Sequence, residues 1–228
     1  MRRGLIRHIA LLFLLLTALT AQAQRNKRTV VVDTVQVAFI NGIMVHVDLL
    51  GAYQARFTDR GQYEAGLRVN LKDRYFPAAE VGYGMSDEKM EYTPDLKFKT
   101  KAPYFRVGCD FNILNNKHDD YKLFGGFRYG HSAFDYDMTV SNKAAEGEEE
   151  PETPFSEYTG LHCNYHWLEG VFGVDAKIWG PLHMGWDVRY RRRLIQKCSD
   201  VGEPWYVPGY GGKKAAGFGV TFNLTVGF

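Results

Sequence analysis

The chain has 228 residues, a formal net charge of +2, and 45% hydrophobic against 24% charged residues. So small a charge leaves no electrostatic footprint for nucleic acid, and a mean hydropathy of −0.31 does not fit a bundle of transmembrane helices. Three cysteines, an odd number, do not make a disulfide framework.

At the N-terminus, Arg2, Arg3 and Arg7 precede and flank an apolar run over residues 9–18, and Ala21-Gln22-Ala23 is a small-x-small cleavage site. This pattern predicts a secretory signal peptide over residues 1–23. The apolar run is too short to span a bilayer as a helix. Residues 24–42 read as a periplasmic lead-in. Within them, residues 29–39 (TVVVDTVQVAF) alternate like a strand, and Asn41-Gly42 is a hairpin-type dipeptide. A ninth spanning strand would break the parity argued below, so this stretch is expected to pair with a barrel end or to fill its interior.

From residue 43 onward, eight segments alternate with the period of two that a strand needs when its faces meet different surroundings. The first, residues 43–57, sets Val45, Val47, Leu49, Tyr53 and Phe57 against His46, Asp48, Gln54 and Arg56. The second, residues 62–72, sets Tyr63, Ala65, Leu67, Val69 and Leu71 against Glu64, Arg68 and Asn70. In the third, residues 75–85, Ala79, Val81 and Tyr83 oppose Glu80, Gly82 and Gly84. In the fourth, residues 103–113, Phe105, Val107, Cys109, Phe111 and Ile113 oppose Tyr104, Arg106, Asp110 and Asn112. The fifth, residues 121–139, turns Leu123, Phe127 and Tyr129 outward and Lys122, Phe124 and Arg128 inward, with a register shift expected near Gly130-His131. The sixth, residues 160–178, places Leu168, Phe172, Val174, Ala176 and Ile178 against Glu169, Asp175 and Lys177. The seventh, residues 182–194, places Met184, Trp186, Val188 and Tyr190 against His183, Asp187, Arg189 and Arg191. The last, residues 213–228, carries Phe218, Val220, Phe222, Leu224, Val226 and Phe228 on every second position, with small or polar residues between.

Eight is an even number, as a closed barrel with both ends on one side requires, and each segment reaches the nine to eleven or so residues of a tilted crossing strand. The links 73–74, 114–120 and 179–181 are short, while 86–102, 140–159 and 195–212 are long, as periplasmic turns and external loops should be. Only the short link 58–61 departs from that alternation. The expected fold is therefore an all-β, eight-stranded antiparallel up-and-down transmembrane β-barrel over residues 43–228, in the outer membrane of a Gram-negative cell. A final strand ending on an aromatic is similar to the terminal strand that barrel-insertion machinery reads, which makes that machinery an expected partner through Phe228.

An eight-stranded barrel is only wide enough inside for side chains to fill it. Its inward list mixes signs: Asp48, Glu80, Asp110, Glu169, Asp175 and Asp187 against Arg68, Arg106, Lys122, Arg128, Lys177 and Arg189. Charges in such a space must pair, so a plugged lumen is expected rather than a small pore. Arg191, Arg192 and Arg193 end the seventh strand at the outer rim, where guanidinium groups can pair with lipopolysaccharide phosphates. Of these, Arg192 points outward. Trp205, Tyr206 and Tyr210, in the aromatic Pro/Gly-rich stretch 204–212, are expected to cap the lumen. The acidic run 144–157 reads as a solvated loop.

His162, Cys163 and His166 cluster in the sixth strand, but alternation splits them between faces, so no metal site and no cofactor is expected. A lipid A-modifying enzyme would need His131, Ser132 and an acid such as Glu157 on one face, which adjacent strand residues cannot share without a bulge. That activity is the alternative to a non-catalytic role. Cys163 and Cys198 fall near one rim, and both pairing and free thiols stay open.

Four stretches, residues 74–84 (RYFPAAEVGYG), 167–179 (WLEGVFGVDAKIW), 184–194 (MGWDVRYRRRL) and 204–211 (PWYVPGYG), resemble an uncharacterised outer-membrane barrel family of Bacteroidota known as a domain of unknown function. The resemblance implies a small barrel and brings no activity with it. Residues and resemblance together lead to one expectation: a structural or surface-interaction barrel, not an enzyme, whose partners are outer-membrane lipid, lipopolysaccharide and an unknown protein.

Overall fold

A computed structural model of the chain describes residues 36–90, 93–141, 155–200 and 202–228. The stretch expected to be a signal peptide, most of the expected lead-in and most of the acidic run 144–157 lie outside the described residues. The elements run β1 (Ile40–Asp48), α1 (Leu49–Phe57), β2 (Arg60–Leu71), β3 (Tyr75–Met90), β4 (Thr93–Asn112), β5 (Tyr121–Ser141), β6 (Phe155–Trp179), β7 (Leu182–Cys198), β8 (Tyr206–Val207), β9 (Gly211–Gly212) and β10 (Ala216–Gly227). Eight of these strands form one sheet in the order β1-β10-β7-β6-β5-β4-β3-β2 that closes on itself. Every neighbouring pair in it is antiparallel. Closure is made by β1 and β10, where Ile43 and Phe228 exchange backbone hydrogen bonds of 3.0 and 2.8 Å. This end, with the turns at 72–74, 113–120 and 180–181, is the terminal rim. The opposite end, with α1 and the segment carrying β8 and β9, is the loop rim.

Local chemistry moves several boundaries from their expected places. The first strand stops at Asp48, not at residue 57. The Asp48 carboxylate accepts the Leu50 N–H at 3.0 Å and N-caps α1. Leu49, Tyr53 and Phe57 lie four apart, so they make a helical stripe as readily as one face of a strand. That ambiguity hid the helix. Asn41-Gly42 lies within β1 and makes no hairpin turn: pairing with β2 slips between Ile40 and Ile43, and Gly42 takes φ +136°. The Phe228 carbonyl oxygen stands 2.6 Å from where a Cβ on Gly42 would be, so only glycine fits this bulge. The expected external loop at 86–102 is instead the continuation of β3 and β4 beyond the ring as a long hairpin, and β6 and β7 also overrun their predicted ends.

These extensions share a cause. Nearer the terminal rim, outward positions are apolar and exposed on every strand, including Val45, Leu67, Val81, Val107, Phe127, Phe172, Tyr190 and Val220, with Phe127 53% exposed. Inward positions there are charged and buried. Nearer the loop rim the polarity reverses. Phe98, Tyr104, Phe134, Tyr136, Met138, Tyr165 and Trp167 turn inward, while Lys99, Lys101, Asp135, Asp137, His162 and Asn164 turn outward. The β5 alternation runs through Gly130-His131 unbroken, because β4 and β5 keep one register from Thr100↔Tyr136 to Asn112↔Phe124. The expected register shift there is the polarity reversal, which mimics a one-residue slip. The irregularity in β5 pairing falls between Tyr136 and Met138.

Cys163 and Cys198 are cross-strand partners in β6 and β7 and form a disulfide, leaving Cys109 free on β4.

Candidate functional site

Alternation on six strands aims five guanidinium groups and five carboxylates into the middle of the ring. Arg106 binds Glu64 at 2.7 Å, Glu80 at 2.9 Å and Glu169 at 3.3 Å. Arg189 binds Glu80 at 2.6 Å and both Glu169 and Asp187 at 3.3 Å. Arg128 takes Asp110 in a two-pronged contact of 2.7 Å each and reaches Glu80 at 3.2 Å. Arg68 bridges Asp110 at 3.0 Å and Asp187 at 3.3 Å, and Arg191 reaches Glu169 at 3.3 Å. Glu80 and Glu169 are the hubs, each shared by three arginines. Asn223 donates to Asp187 at 2.8 Å, and Tyr104 donates to Glu64. Arg106, Arg128 and Arg189 are wholly inaccessible to solvent. Burial at this depth is tolerable because positive and negative groups are equal in number and each charge has a partner.

Both ends of this layer are closed by apolar side chains. Toward the terminal rim, Met44, Phe76 and Phe124 form a small cluster, with the Phe76 and Phe124 rings 4.9 Å apart. Toward the loop rim, the segment carrying β8 and β9 folds into the mouth. Tyr206, Val207 and Tyr210 pack there against Tyr104, Tyr136, Tyr165 and Trp167. Tyr136 donates to the Gly202 carbonyl at 2.7 Å, Arg106 to that of Gly209 at 3.3 Å, and Arg191 to that of Tyr210 at 2.9 Å. Gly209 sits at φ +78°, and a Cβ on it would stand 2.5 Å from the Tyr104 ring, so the stopper seats only with glycine there. Burial pushes the Tyr206 hydroxyl up to about 12.

Of the residues singled out from the sequence, Arg68, Glu80, Arg106, Asp110, Arg128, Glu169, Asp187 and Arg189 are brought into this one network. Asp48 is buried but serves the helix cap, accepting also the Phe222 N–H at 3.2 Å. Asp175 leaves the network for His183 at 2.7 Å. Lys122 turns to the 117–119 turn at the terminal rim, donating to the carbonyls of Lys117 and Asp119 at 2.8 Å each. Lys177 lies at the exposed end of β6 near Asp120 at 3.4 Å. Lys122 and Lys177 fall near the ends of β5 and β6, where inward parity no longer means full enclosure, whereas Asp175 stays buried. Glu64 and Arg191 complete the network, and their inward parity was the signal for both.

The three rim arginines separate. Arg191 is buried with Glu169 and the Tyr210 carbonyl and is not available to an external phosphate, a correction that its own inward parity explains. Arg192 is exposed on the outward face, and half-buried Arg193 contacts Gln196 and lies 3.7 Å from Glu203. Tyr206 and Tyr210 lie deep in the mouth, whereas Trp205 is half-buried and stacks on Phe98 with centroids 5.7 Å apart.

His131 faces outward, bonded to Asn164 at 3.0 Å, while Ser132 faces inward and donates to the Pro103 carbonyl at 3.1 Å. The two share no face, and no His-Ser-acid set is assembled from them with Glu157. Among the described residues no group of three or more His, Cys, Asp or Glu side chains converges for a metal.

These features define a class: a closed eight-stranded antiparallel ring with an ion-paired interior and a mouth stoppered by its own loop. The chain belongs to the family described as a domain of unknown function (DUF6048), whose model matches residues 5–228. No curated protein and no solved structure matches it.

Proposed function

We propose that this chain is a small outer-membrane β-barrel with a plugged polar lumen and a structural or surface-contact role rather than a catalytic one. One observation carries the reading: around the half of the ring nearer the terminal rim, large apolar side chains face outward while the charges face inward. A chain folded in water would gain nothing from that arrangement, whereas hydrocarbon rewards it on every strand. Along β4 and the residue that follows it, the apolar outward run extends from Phe105 to Ile113, the nine or so residues of a tilted crossing strand, and on β5 it covers the seven residues from Leu123 to Tyr129. The loop rim then lies outside the cell, and the terminal strand ending at Phe228 engages the barrel-insertion machinery. Arg192 stands at the upper edge of the apolar belt, where it meets lipopolysaccharide phosphate. The filled interior and seated stopper argue for a support or contact role over conduction.

Separation of inner and outer membranes on a density gradient, followed by alkaline carbonate extraction, tests the proposal. The protein should stay in the outer-membrane pellet. Recovery in the soluble periplasmic fraction would overturn the reading.

A further inference from the structure

The ring wall has a seam. β1 ends at Asp48, opposite Asn223, yet β10 begins at Ala216, so residues 216–222 of β10 have β7 on one side and no β1 on the other. α1 packs beside this gap against both β2 and β10, its Ala55 backbone within 2.0 Å of where a Cβ on Gly61 of β2 would stand. Toward the loop rim the gap opens into a cavity of about 660 Å³. Arg60, Lys89, Lys213, Lys214 and Phe218 border it, and Arg191 and Tyr210 form its floor.

Resting on the membrane reading above, we propose that this seam is a binding site for a phosphate-bearing acylated lipid, with its headgroup on the lysines and its chain along the outer wall. The charge balance favours an anion. Arg60 is held by Glu88, but Lys89, Lys213 and Lys214 are exposed and carry no ion pair among the described residues. Height favours a headgroup. Ala216 pairs with Arg192 at the upper edge of the apolar belt, and Lys213 and Lys214 follow at once on the loop side. The wall also leaves room. Positions 217 and 219 of β10 face inward and are both glycine; a Cβ on Gly217 would meet nothing within 4 Å, while one on Gly219 would press on the Arg191 guanidinium at 2.8 Å. An apolar track leads to this window. Phe218 is 78% exposed beside Tyr190, and α1 presents Leu49, Tyr53 and Phe57 as an exposed stripe. Cations above, hydrocarbon surface below and a glycine window between them fit an amphiphile of this chemistry better than a soluble anion.

The test is native mass spectrometry of the detergent-solubilised protein with bis-phosphorylated lipid A and with the same lipid stripped of its phosphates. The wild type should retain one phosphorylated lipid and hold the stripped one about ten-fold more weakly, as expected for lost charge-assisted contacts. Lys213→Glu with Lys214→Glu should lose the discrimination, and Gly217→Phe should lose the lipid by filling the window. Equal retention of both lipids, or unchanged binding in the lysine variant, would overturn the site. A gel-mobility difference between boiled and unboiled samples reports folding in each variant. If Gly217→Phe fails that check, the lysine variant, altered only at exposed residues, decides alone. A wild type without the mobility difference would refute the membrane reading, whereas a folded wild type without phosphate-dependent retention would refute the seam alone.

Discussion

Two zones of one set of strands obey opposite rules. Around Glu80 and Arg128 the ring hides charge and displays Val81 and Phe127. A few residues further along the same strands, around Phe98 and Tyr136, it hides aromatics and displays Lys99 and Asp137. Backbone geometry does not change between them; β4 and β5 keep one register throughout. What changes is the surroundings each face is built for. The upper zone is organised like an ordinary water-soluble protein, and the lower zone is its inverse, which is the physical content of the proposed bilayer setting.

The largest effect is expected from the buried charges of the lower zone. Glu80→Gln takes one carboxylate charge from three arginines at once, each of which keeps another carboxylate, and leaves the buried layer one positive charge in excess, which should destabilise the ring by roughly 3–5 kcal/mol. Urea midpoints of protein folded into lipid vesicles would show it. In the upper zone, Phe98→Ala removes a ring buried between Tyr136 and Trp205 and should cost about 3 kcal/mol. That loss should appear as protease sensitivity of the 199–215 segment while the lower zone stays folded.

Placing one cation in each zone tests the boundary itself. Phe127→Arg, outward in the lower zone, should cost about 2–4 kcal/mol if hydrocarbon faces it. Asp137→Arg, outward in the upper zone, should change stability by less than about 0.5 kcal/mol. Equal effects would erase the distinction between zones. The smallest effect belongs to the terminal rim. Burial works to raise the Asp73 carboxyl, but hydrogen bonds from Asn70, His118 and Asn41 and the nearby Lys122 ammonium outweigh it and hold the group below its usual range. A lowered folded value means that the stabilisation is complete above the ordinary carboxyl pKa of about 4 and is lost as pH falls through the folded value. The protection of amides 70–74, taken against their intrinsic exchange rates, should therefore fall at low pH in the wild type and lose that dependence in Asp73→Asn.

Much of this was legible in the sequence because period-two patterning does not depend on what lies outside. The eight strands, their order and the inward aim of Arg68, Arg106 and Arg189 all follow from parity. What parity does not encode is which solvent each face meets. Residues 86–102 therefore looked like a loop once Lys97, Lys99 and Lys101 replaced apolar outward residues, although Phe98 and Ala102 kept the strand's rhythm facing inward. Gly130-His131 looked like a bulge for the same reason. The helix was masked because Leu49, Tyr53 and Phe57 suit both a period of two and one of 3.6. Arg191 and the free-edge seam depend on where β1 stops, and that is set by the Asp48 cap, a local contact with no long-range pattern to announce it.

On the reading proposed above, the ring is a closed barrel living in the outer membrane. Electrophoresis of an outer-membrane fraction, with and without boiling, tests it most directly. An unboiled band that migrates differently and shifts on boiling is the expected result, because an ion-paired, hydrogen-bonded ring resists detergent until heated. A single band at one position under both conditions, with the protein recovered in the soluble fraction, would contradict the account.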